Sequence, residues 1–237
     1  NDRLVESLRT TAGEFHAVCF AKAAGGPAKP EDWNDQLFHT LGKIMGKMHK
    51  LTRTYEPKAS AVRHDWEAVL RQDLQTSEAW LSDKFKALLD YFSALPQDRD
   101  RYGLIHDDIH RGNFFVTDDS LTLFDFDDCK YSWFAEDIAV ALFYAIPPDG
   151  EETKRCETAQ IFYESFLNGY ETVLSAPAGL GEWLPYFLKL RELQVYAAIQ
   201  KSGLDENKLT GWAGSFMKER KPKLVNDVPY LNGDQWF

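Results

Sequence analysis

Cysteine is scarce in this chain, and no stretch of the chain is apolar for long. The three cysteines, Cys19, Cys129 and Cys156, have neither the spacing of a zinc site nor the even number of a disulfide framework. We therefore expect a protein of the reduced cytoplasm. No apolar run approaches the roughly 18 residues that a transmembrane helix needs, so we expect no membrane partner.

Positive charge is also in short supply. Lys and Arg total 27 against 37 Asp and Glu, which gives a formal net charge of −10 at pH 7. This balance argues against nucleic acid or an anionic membrane as a partner and would suit a cationic substrate. Internal repeats are also lacking. The 237 residues, 44% of them hydrophobic, are enough to bury a sizeable core, as one large domain or as one domain with a small appendage.

Residues with potential catalytic or metal-binding side chains are most concentrated in residues 106–128, which include two His, seven Asp and one Asn. Asp108 and Asn113 lie on either side of Gly112, which disfavours a helix and permits a sharp loop. Two short β-prone runs follow, joined by a turn-like Thr-Asp-Asp-Ser, and the second run ends at Asp125. A loop that leads into a hairpin would bring these polar residues together. One carboxylate could then orient a hydroxyl nucleophile, while an amide oxygen and a second carboxylate bind Mg²⁺, as phosphoryl transfer requires.

The pattern His-x-Asp-x-His-x-Gly-Asn, followed by Asp-Phe, resembles the catalytic and metal loops of the aminoglycoside phosphotransferase and choline kinase superfamily. The resemblance implies ATP and Mg²⁺ as cofactors and the hydroxyl of a small molecule as the acceptor. The residue roles that it implies are Asp108 as the catalytic base, His106 as a prop of the catalytic loop, His110 as a further catalytic-loop residue, and Asn113 and Asp125 as Mg²⁺ ligands. Asp127 is a further candidate for the metal site. Asp137 matches the acid that braces the loop in this family, and an ordinary acid at a helix N-terminus stays open as the alternative. The pattern departs from the family at Arg111, where Pro is frequent, and from protein kinases at Asp127, where Gly is frequent.

Three other interpretations of the same segment compete with this one. His106 and His110 imitate a zinc motif that needs a helix, which Gly112 and the β-prone residues after it disfavour. The acids from Asp125 onward imitate a calcium loop, but Lys130 stands where that loop requires Gly. The plainest alternative is a polar surface hairpin whose acids are merely solvated. The joint spacing favours the kinase-like interpretation.

The rest of the chain predicts a small hairpin followed by a mostly helical body. Two β-prone runs, residues 4–8 and 15–20, flank a turn-like stretch. Apolar periodicity predicts helices over residues 35–51, 65–75, 77–94, 136–146, 151–174, 184–201 and 209–218. The family resemblance implies an α+β, protein-kinase-like fold, with a helical C-terminal lobe, a small catalytic hairpin and a remnant of the N-terminal sheet. Residues 1–22 would be the last two strands and the hinge of the ATP-binding lobe, with Phe20, Ala21 and Lys22 meeting the nucleotide, and residues 23–237 the C-terminal lobe.

Two nucleotide-binding features of kinases are lacking upstream of these strands, namely a Gly-rich phosphate loop and a strand Lys. We therefore expect the chain to be a piece of a longer kinase, and a pseudokinase that only binds stays open as an alternative. A protein kinase is a second alternative, disfavoured by His110 and by the lack of an Ala-Pro-Glu segment after Asp125.

The substrate contacts are poorly encoded in the sequence. Aromatic faces with acids could hold an ammonium group, although aromatic residues at helical spacing more often belong to the core. The candidates are Trp183, Tyr186, Tyr196 and Trp212, with Glu182, Glu192 and Asp205 as acidic partners.

Overall fold

The structure is a computed structural model that describes residues 5–57, 63–75, 78–118 and 120–232. The strands are β1 (Glu6–Thr10), β2 (Gly13–Ala17), β3 (Gly26–Pro27), β4 (Tyr102–Ile105), β5 (Phe114–Val116), β6 (Leu121–Leu123) and β7 (Lys130–Trp133). The α-helices are α1 (Asp35–Thr52), α2 (Trp66–Asp73), α3 (Ala79–Ser93), α4 (Phe134–Ala145), α5 (Glu152–Glu171), α6 (Leu180–Lys201), α7 (Gly211–Met217) and α8 (Arg220–Val225). The predicted α+β class is confirmed.

Strands β1 and β2 form the antiparallel hairpin that the sequence predicts, with Glu6 opposite Ala17 and Thr10 opposite Gly13. Gly13 closes the turn with a φ of 133°, a conformation that favours glycine. The predicted first strand began at residue 4, which lies outside the described residues, and β2 ends three residues before the predicted end. The apolar side chains of the hairpin are 47–54% exposed: Val5, Leu8, Phe15 and Val18.

Helices α1 and α5 pack along each other, and glycines set how closely they approach. Asn34 caps α1 by accepting hydrogen bonds from two backbone N–H groups of the first turn. A Cβ added to Gly42 would lie 2.0 Å from the carbonyl oxygen of Phe166, and one added to Gly169 would lie 1.9 Å from that of His39. Only glycine fits at these two contacts, because any side chain would force the helices apart.

Helix α4 is the centre of the helical body. Of its 12 residues, 11 are buried, and the helix packs against α5 and α6. It ends shortly before Pro147, as the sequence predicts, because the residue that precedes a proline avoids helical geometry. Two acids in its first turn, Glu136 and Asp137, are buried with it, which is rare unless such groups are paired. No helix in the described part of the chain is long and apolar enough to cross a membrane.

Two small sheets flank the catalytic segment. Strands β3, β5 and β6 form one sheet in that order, and β4 pairs with β7 in the other. The β5–β6 hairpin is confirmed, whereas β3, β4 and β7 were not predicted. These strands have two to four residues each, and β7 begins with the charged but buried Lys130, which hides the apolar pattern of a strand.

Over the described residues, the helix predictions are confirmed with two exceptions; the predicted start of α3, residue 77, lies outside the described residues. Helix α6 begins at Leu180 rather than at residue 184, because Pro185 imitates a helix start but lies in the second turn. Helix α8 was missed because it has only six residues and contains Pro222, which the first turn of a helix tolerates.

Candidate active site

The catalytic loop, residues 106–113, joins β4 to β5 and is held from beneath by Asp137 of α4. The backbone N–H groups of His106 and Asp107 donate to the two carboxylate oxygens of Asp137, at 3.1 and 2.9 Å. His49 of α1 donates through Nε2 to the same carboxylate, at 3.0 Å, and its Nδ1 accepts from the hydroxyl of Tyr170. Burial opposes the charge of Asp137, but the hydrogen bond from His49 and the nearby histidines lower its pKa. The brace implied by the family resemblance is therefore present in the fold.

Asp108 is the most heavily coordinated side chain of the loop. Its Oδ2 accepts from Asn113 Nδ2 at 2.9 Å and from His110 Nε2 at 3.2 Å, while its Oδ1 accepts from Arg191 Nη2 at 2.5 Å. Burial alone would raise the pKa of Asp108, but the hydrogen bond from His110 and the charge of Arg191 lower it. The carboxylate is thus ionised and fixed in one orientation, which suits a group that accepts a hydrogen bond from a reacting hydroxyl.

The two histidines of the loop have different partners. His106 is fully buried and donates through Nε2 to the backbone oxygen of Phe124 at 3.0 Å, which ties the loop to β6. The Nδ1 of His110 accepts from the N–H of Gly112, so its Nε2 carries the proton that faces Asp108. A Cβ at Gly112 would lie 2.7 Å from the His110 ring, which explains why glycine occupies this position. Within the described residues, no group of three or more His, Cys, Asp or Glu could hold a metal ion.

The predicted metal ligands Asn113 and Asp125 lie at the open end of the β5–β6 hairpin. The carbonyl oxygen of Asn113 accepts from the N–H of Phe124, one residue before Asp125. Asn113 uses its Nδ2 to donate to Asp108, so its Oδ1 remains as an oxygen donor for a hard cation. Asp125 is exposed and has a φ of 65°, a left-handed conformation that is uncommon for a residue with a side chain. An amide oxygen and a carboxylate fit the ligand preference of Mg²⁺.

The other predicted site residues are exposed. Asp127 is exposed, and its backbone oxygen accepts from Arg63 at 2.9 Å. Phe20, Ala21 and Lys22, the predicted hinge, are exposed between β2 and β3, and Phe20 is 87% exposed. Their nucleotide role stays a prediction. Arg111, which departs from the family pattern, places its guanidinium 5.2 Å from the ring centre of Trp33.

Two basic residues near the loop were missed by the sequence analysis. Arg191 lies in the helix predicted over residues 184–201, with no role assigned to it, yet it reaches Asp108. Lys130 of β7 lies 2.8 Å from both the Asp107 and Glu136 carboxylates, which outweigh its burial and raise its pKa. Burial raises the pKa of Asp107 to about 7. Both residues lie in segments that are otherwise mostly apolar, which was the available signal. A basic residue that is buried in such a segment almost always has an acidic partner.

A cavity of about 670 Å³ opens beside the catalytic loop. Its wall includes Asp107 of the loop, Tyr144 of α4 and Arg191 of α6. It also includes three acids that form no ion pair among the described residues, Asp73, Asp127 and Asp128, and one similarly unpaired base, Arg63. When the charges that form ion pairs are excluded, acids therefore outnumber bases in the cavity wall.

Of the aromatic and acidic residues proposed as substrate contacts, only Trp212 lines this cavity. Trp183 and Tyr196 are buried, as core residues would be. Glu192 is also buried, and its carboxylate accepts from Arg220 at 2.7 Å, so it is committed to an internal ion pair. Trp183 and Tyr196 thus follow the core alternative that the sequence analysis favoured, because helical periodicity alone does not reveal which face of a helix meets a cavity.

The helical body, the β5–β6 hairpin and the braced Asp108 loop define a protein-kinase-like fold. The chain belongs to the phosphotransferase enzyme family, whose model, APH, matches residues 14–183. Amicoumacin kinase of Bacillus subtilis (strain 168) is 33% identical over 200 residues, which cover 80% of this chain and 58% of that protein. The chain thus spans less than two thirds of the length of this relative.

Solved structures agree with this family assignment. Amicoumacin kinase hAmiN, in complex with AMP-PNP, Ca²⁺ and Ami, superposes with a TM-score of 0.84 at 27% identity, over 99% of this chain and 73% of that one. A microcompartment-associated aminopropanol kinase superposes with a TM-score of 0.66 at 24% identity, over 98% of this chain and 74% of that one. The second likeness shows a shared fold.

Proposed function

We propose that this chain is the catalytic part of an ATP- and Mg²⁺-dependent kinase that phosphorylates a hydroxyl group of a small molecule. The observation that carries the proposal is the Asp108 carboxylate, which Asn113, His110 and Arg191 hold in one orientation. Its neighbour Asp107 and its partner Arg191 line a cavity large enough for a small substrate. Phosphoryl transfer depends mainly on positioning and on charge neutralisation, and this loop supplies the positioning.

In this mechanism, Asp108 accepts a hydrogen bond from the acceptor hydroxyl and aligns its oxygen for attack on the terminal phosphorus. Its low pKa keeps the carboxylate ionised at neutral pH. The hydroxyl proton would pass to Asp108 as the new P–O bond forms, while the bond between the terminal phosphorus and the bridging oxygen breaks and ADP leaves. His110 donates to Oδ2 and steadies the carboxylate, and His106 keeps the loop against β6.

The metal site of the proposal consists of Asn113 and Asp125, with Asp127 as a third acid. Mg²⁺, when bound, supplies positive charge to the phosphate groups of the nucleotide. Two features support this assignment, namely the free Oδ1 of Asn113 and the hydrogen bond that places Asn113 beside Phe124. The relative hAmiN was solved with a nucleotide analogue and a divalent ion, which supports the use of both here.

The acceptor in this proposal carries a positive charge as well as a hydroxyl group. Asp73, Asp127 and Asp128 give the cavity negative charge that has no ion-pair partner among the described residues, against one similarly unpaired cation, Arg63. Burial raises the pKa of Asp73, and a bound ammonium group would lower it again. Tyr144 and Trp212 add aromatic faces that attract cations. Amicoumacin, the compound named for the relatives, is the first acceptor to test.

We assign residues 1–22 to the ATP-binding lobe, as its last two strands and hinge, and residues 23–237 to the C-terminal lobe. The exposed apolar side chains of β1 and β2 support this division, because a two-stranded hairpin is marginal unless further structure covers it.

We also place the protein in the cytoplasm. All three cysteines are free thiols, as expected in a reducing compartment.

The proposal is tested by incubating the full-length protein with Mg·ATP and a panel of acceptors. The panel contains amicoumacin, simple amino alcohols and neutral alcohols of matched size, and mass spectrometry measures the phosphate ester. We expect transfer to a hydroxyl of a cationic acceptor and little transfer to the neutral ones. Nucleotide binding without transfer to any acceptor would favour the pseudokinase alternative.

A further inference from the structure

The side chain of Arg191 crosses from α6 into the proposed active site and is only 13% exposed. Its Nη2 donates both to Asp108 Oδ1, at 2.5 Å, and to the hydroxyl of Tyr144, at 2.9 Å. The guanidinium also lies 5.0 Å from the ring centre of Tyr144. Hydrogen bonds therefore hold the guanidinium of Arg191 at one end, and the ring of Tyr144 lies close to it.

Stability alone does not explain why this cation is buried. A buried ion pair recovers its desolvation cost only when its remaining polar atoms are also satisfied. The Nε of Arg191 is buried and has no hydrogen-bond partner among the described residues. The residue also lines the cavity beside the loop. Incompletely satisfied charge beside a cavity is more typical of a functional site than of a structural ion pair.

The bonds to Asp108 determine where an acceptor hydroxyl can bind. A carboxylate oxygen accepts about two hydrogen bonds in its plane. The Oδ2 of Asp108 already has two donors, Asn113 and His110, whereas Oδ1 has only Arg191. The remaining acceptor position of Asp108 is therefore on Oδ1, next to the guanidinium.

We propose that Arg191 is a positioning residue for phosphoryl transfer: it fixes Asp108 so that the acceptor hydroxyl binds Oδ1. This inference rests on the proposed kinase function. Arg191 suits the role better than Lys would, because a planar guanidinium reaches Asp108 and Tyr144 together in a rigid geometry. Loss of this constraint leaves the carboxylate in place but lets it rotate, and small misplacements of a catalytic group lower the rate strongly.

The test compares Arg191→Met and Arg191→Lys with Lys189→Met in the full-length protein. Lys189 lies on the same helix and pairs weakly with Glu192, at 3.6 Å, so its replacement removes an equal charge from a different face. We expect Arg191→Met to lower kcat by about 10²-fold, while the KM for ATP stays within about twofold. Arg191→Lys should recover part of the loss, and Lys189→Met should behave like the parent.

Several outcomes would overturn the assignment. Parental kcat in folded Arg191→Met would do so, as would an equal loss in Lys189→Met or a loss confined to the KM for ATP. If Arg191→Met does not fold, Arg191→Lys decides: a reduced kcat with an unchanged KM supports the role, and a parental kcat rejects it. If the parent itself transfers no phosphoryl group, the proposed function fails and this inference fails with it.

Discussion

The catalytic loop and the hairpin β1–β2 are both short segments, yet their surroundings determine their conformations to very different degrees. Side chains from α4 and α6 reach the loop, and His49 of α1 supports it by donating to Asp137. The hairpin instead leaves its apolar side chains about half exposed, with Leu8 at 54% and Phe15 at 51%.

This difference bears on where precise chemistry can take place. A catalytic carboxylate must be held within a fraction of an ångström, which requires rigid neighbours on several sides. The loop meets that requirement because helices α4 and α6 of the same helical body hold it. The hairpin suits a surface that is completed by further structure, because its backbone pairing alone is marginal. The predictions below test this contrast, from the largest expected effect to the smallest.

Replacing Asp137 with Ala should cause a large loss of stability, about 3–5 kcal/mol in the free energy of unfolding. The change would leave His49 and two backbone N–H groups of the loop buried without acceptors. Urea denaturation measures the effect, with Asp90→Ala, an exposed acid on α3, as the control. A loss no greater than that of the control would show that the loop does not depend on this brace.

Replacing Asp125 with Ala should raise the Mg²⁺ concentration needed for half-maximal turnover by about tenfold or more, and Asn113→Ala should act in the same direction. The reason is the loss of an oxygen ligand at the open end of the β5–β6 hairpin. Titrating Mg²⁺ at fixed ATP measures this effect, and Asp90→Ala again controls for the removal of one acid. If the Mg²⁺ requirement is unchanged, the metal role belongs elsewhere, and Asp127 is the next residue to test.

Acid should destabilise the fold through Asp137, whose pKa in the folded chain lies below its ordinary value of 3.8. The folded state then binds fewer protons than the unfolded state between the two pKa values, so stability rises with pH in that window. The contribution is fully present above about pH 4 and is lost as pH falls through the folded pKa. Unfolding free energies measured from pH 2 to pH 6 should show a steeper acid loss in the parent than in Asp137→Asn. Parallel curves would contradict this assignment.

A polar substitution in the hairpin should have the smallest effect. Phe15→Ser should change the unfolding free energy of the helical body by no more than about 0.5 kcal/mol, as is usual for exposed sites. By contrast, Phe166→Ala removes a side chain that is 0% exposed between α1 and α5, and should cost about 3–5 kcal/mol. Helical circular dichroism during denaturation compares the two. A large loss from Phe15→Ser would mean that the hairpin is part of the core.

The sequence could predict the parts of the site that are close together along the chain. Asp108 and Asn113 are five residues apart and hydrogen bonded, and the short β5–β6 hairpin pairs Phe124, the neighbour of Asp125, with Asn113. Local turn and strand rules were sufficient for these contacts. Arg191 is 83 residues from Asp108 and reaches it only through the packing of α4 against α6. No local rule predicts such a contact, because it depends on which face of a helix meets which neighbour.

The same limit explains the errors in the fold. Helices with a long apolar period, such as α1, were predicted almost to the residue, since many positions repeat one signal. Strands β4 and β7 have four residues each and include Lys130, whose burial depends on Asp107 and Glu136 elsewhere in the chain. In a strand of four residues, one buried charged residue is enough to hide the alternation of apolar and polar residues that predicts a strand.

The most direct test of the proposed active site compares two neighbouring carboxylates, Asp108 and Asp107, by the same conservative change to Asn. Asp108→Asn should lower kcat for phosphate ester formation by about 10²-fold or more, with little change in ATP affinity. Asp107→Asn should keep most of the parental rate: burial already raises the pKa of Asp107 to about 7, Lys130 retains Glu136, and Asn tolerates the φ of 66° found there. Parental turnover in Asp108→Asn, or a greater loss in Asp107→Asn, would contradict the assignment of Asp108 as the residue that aligns the acceptor.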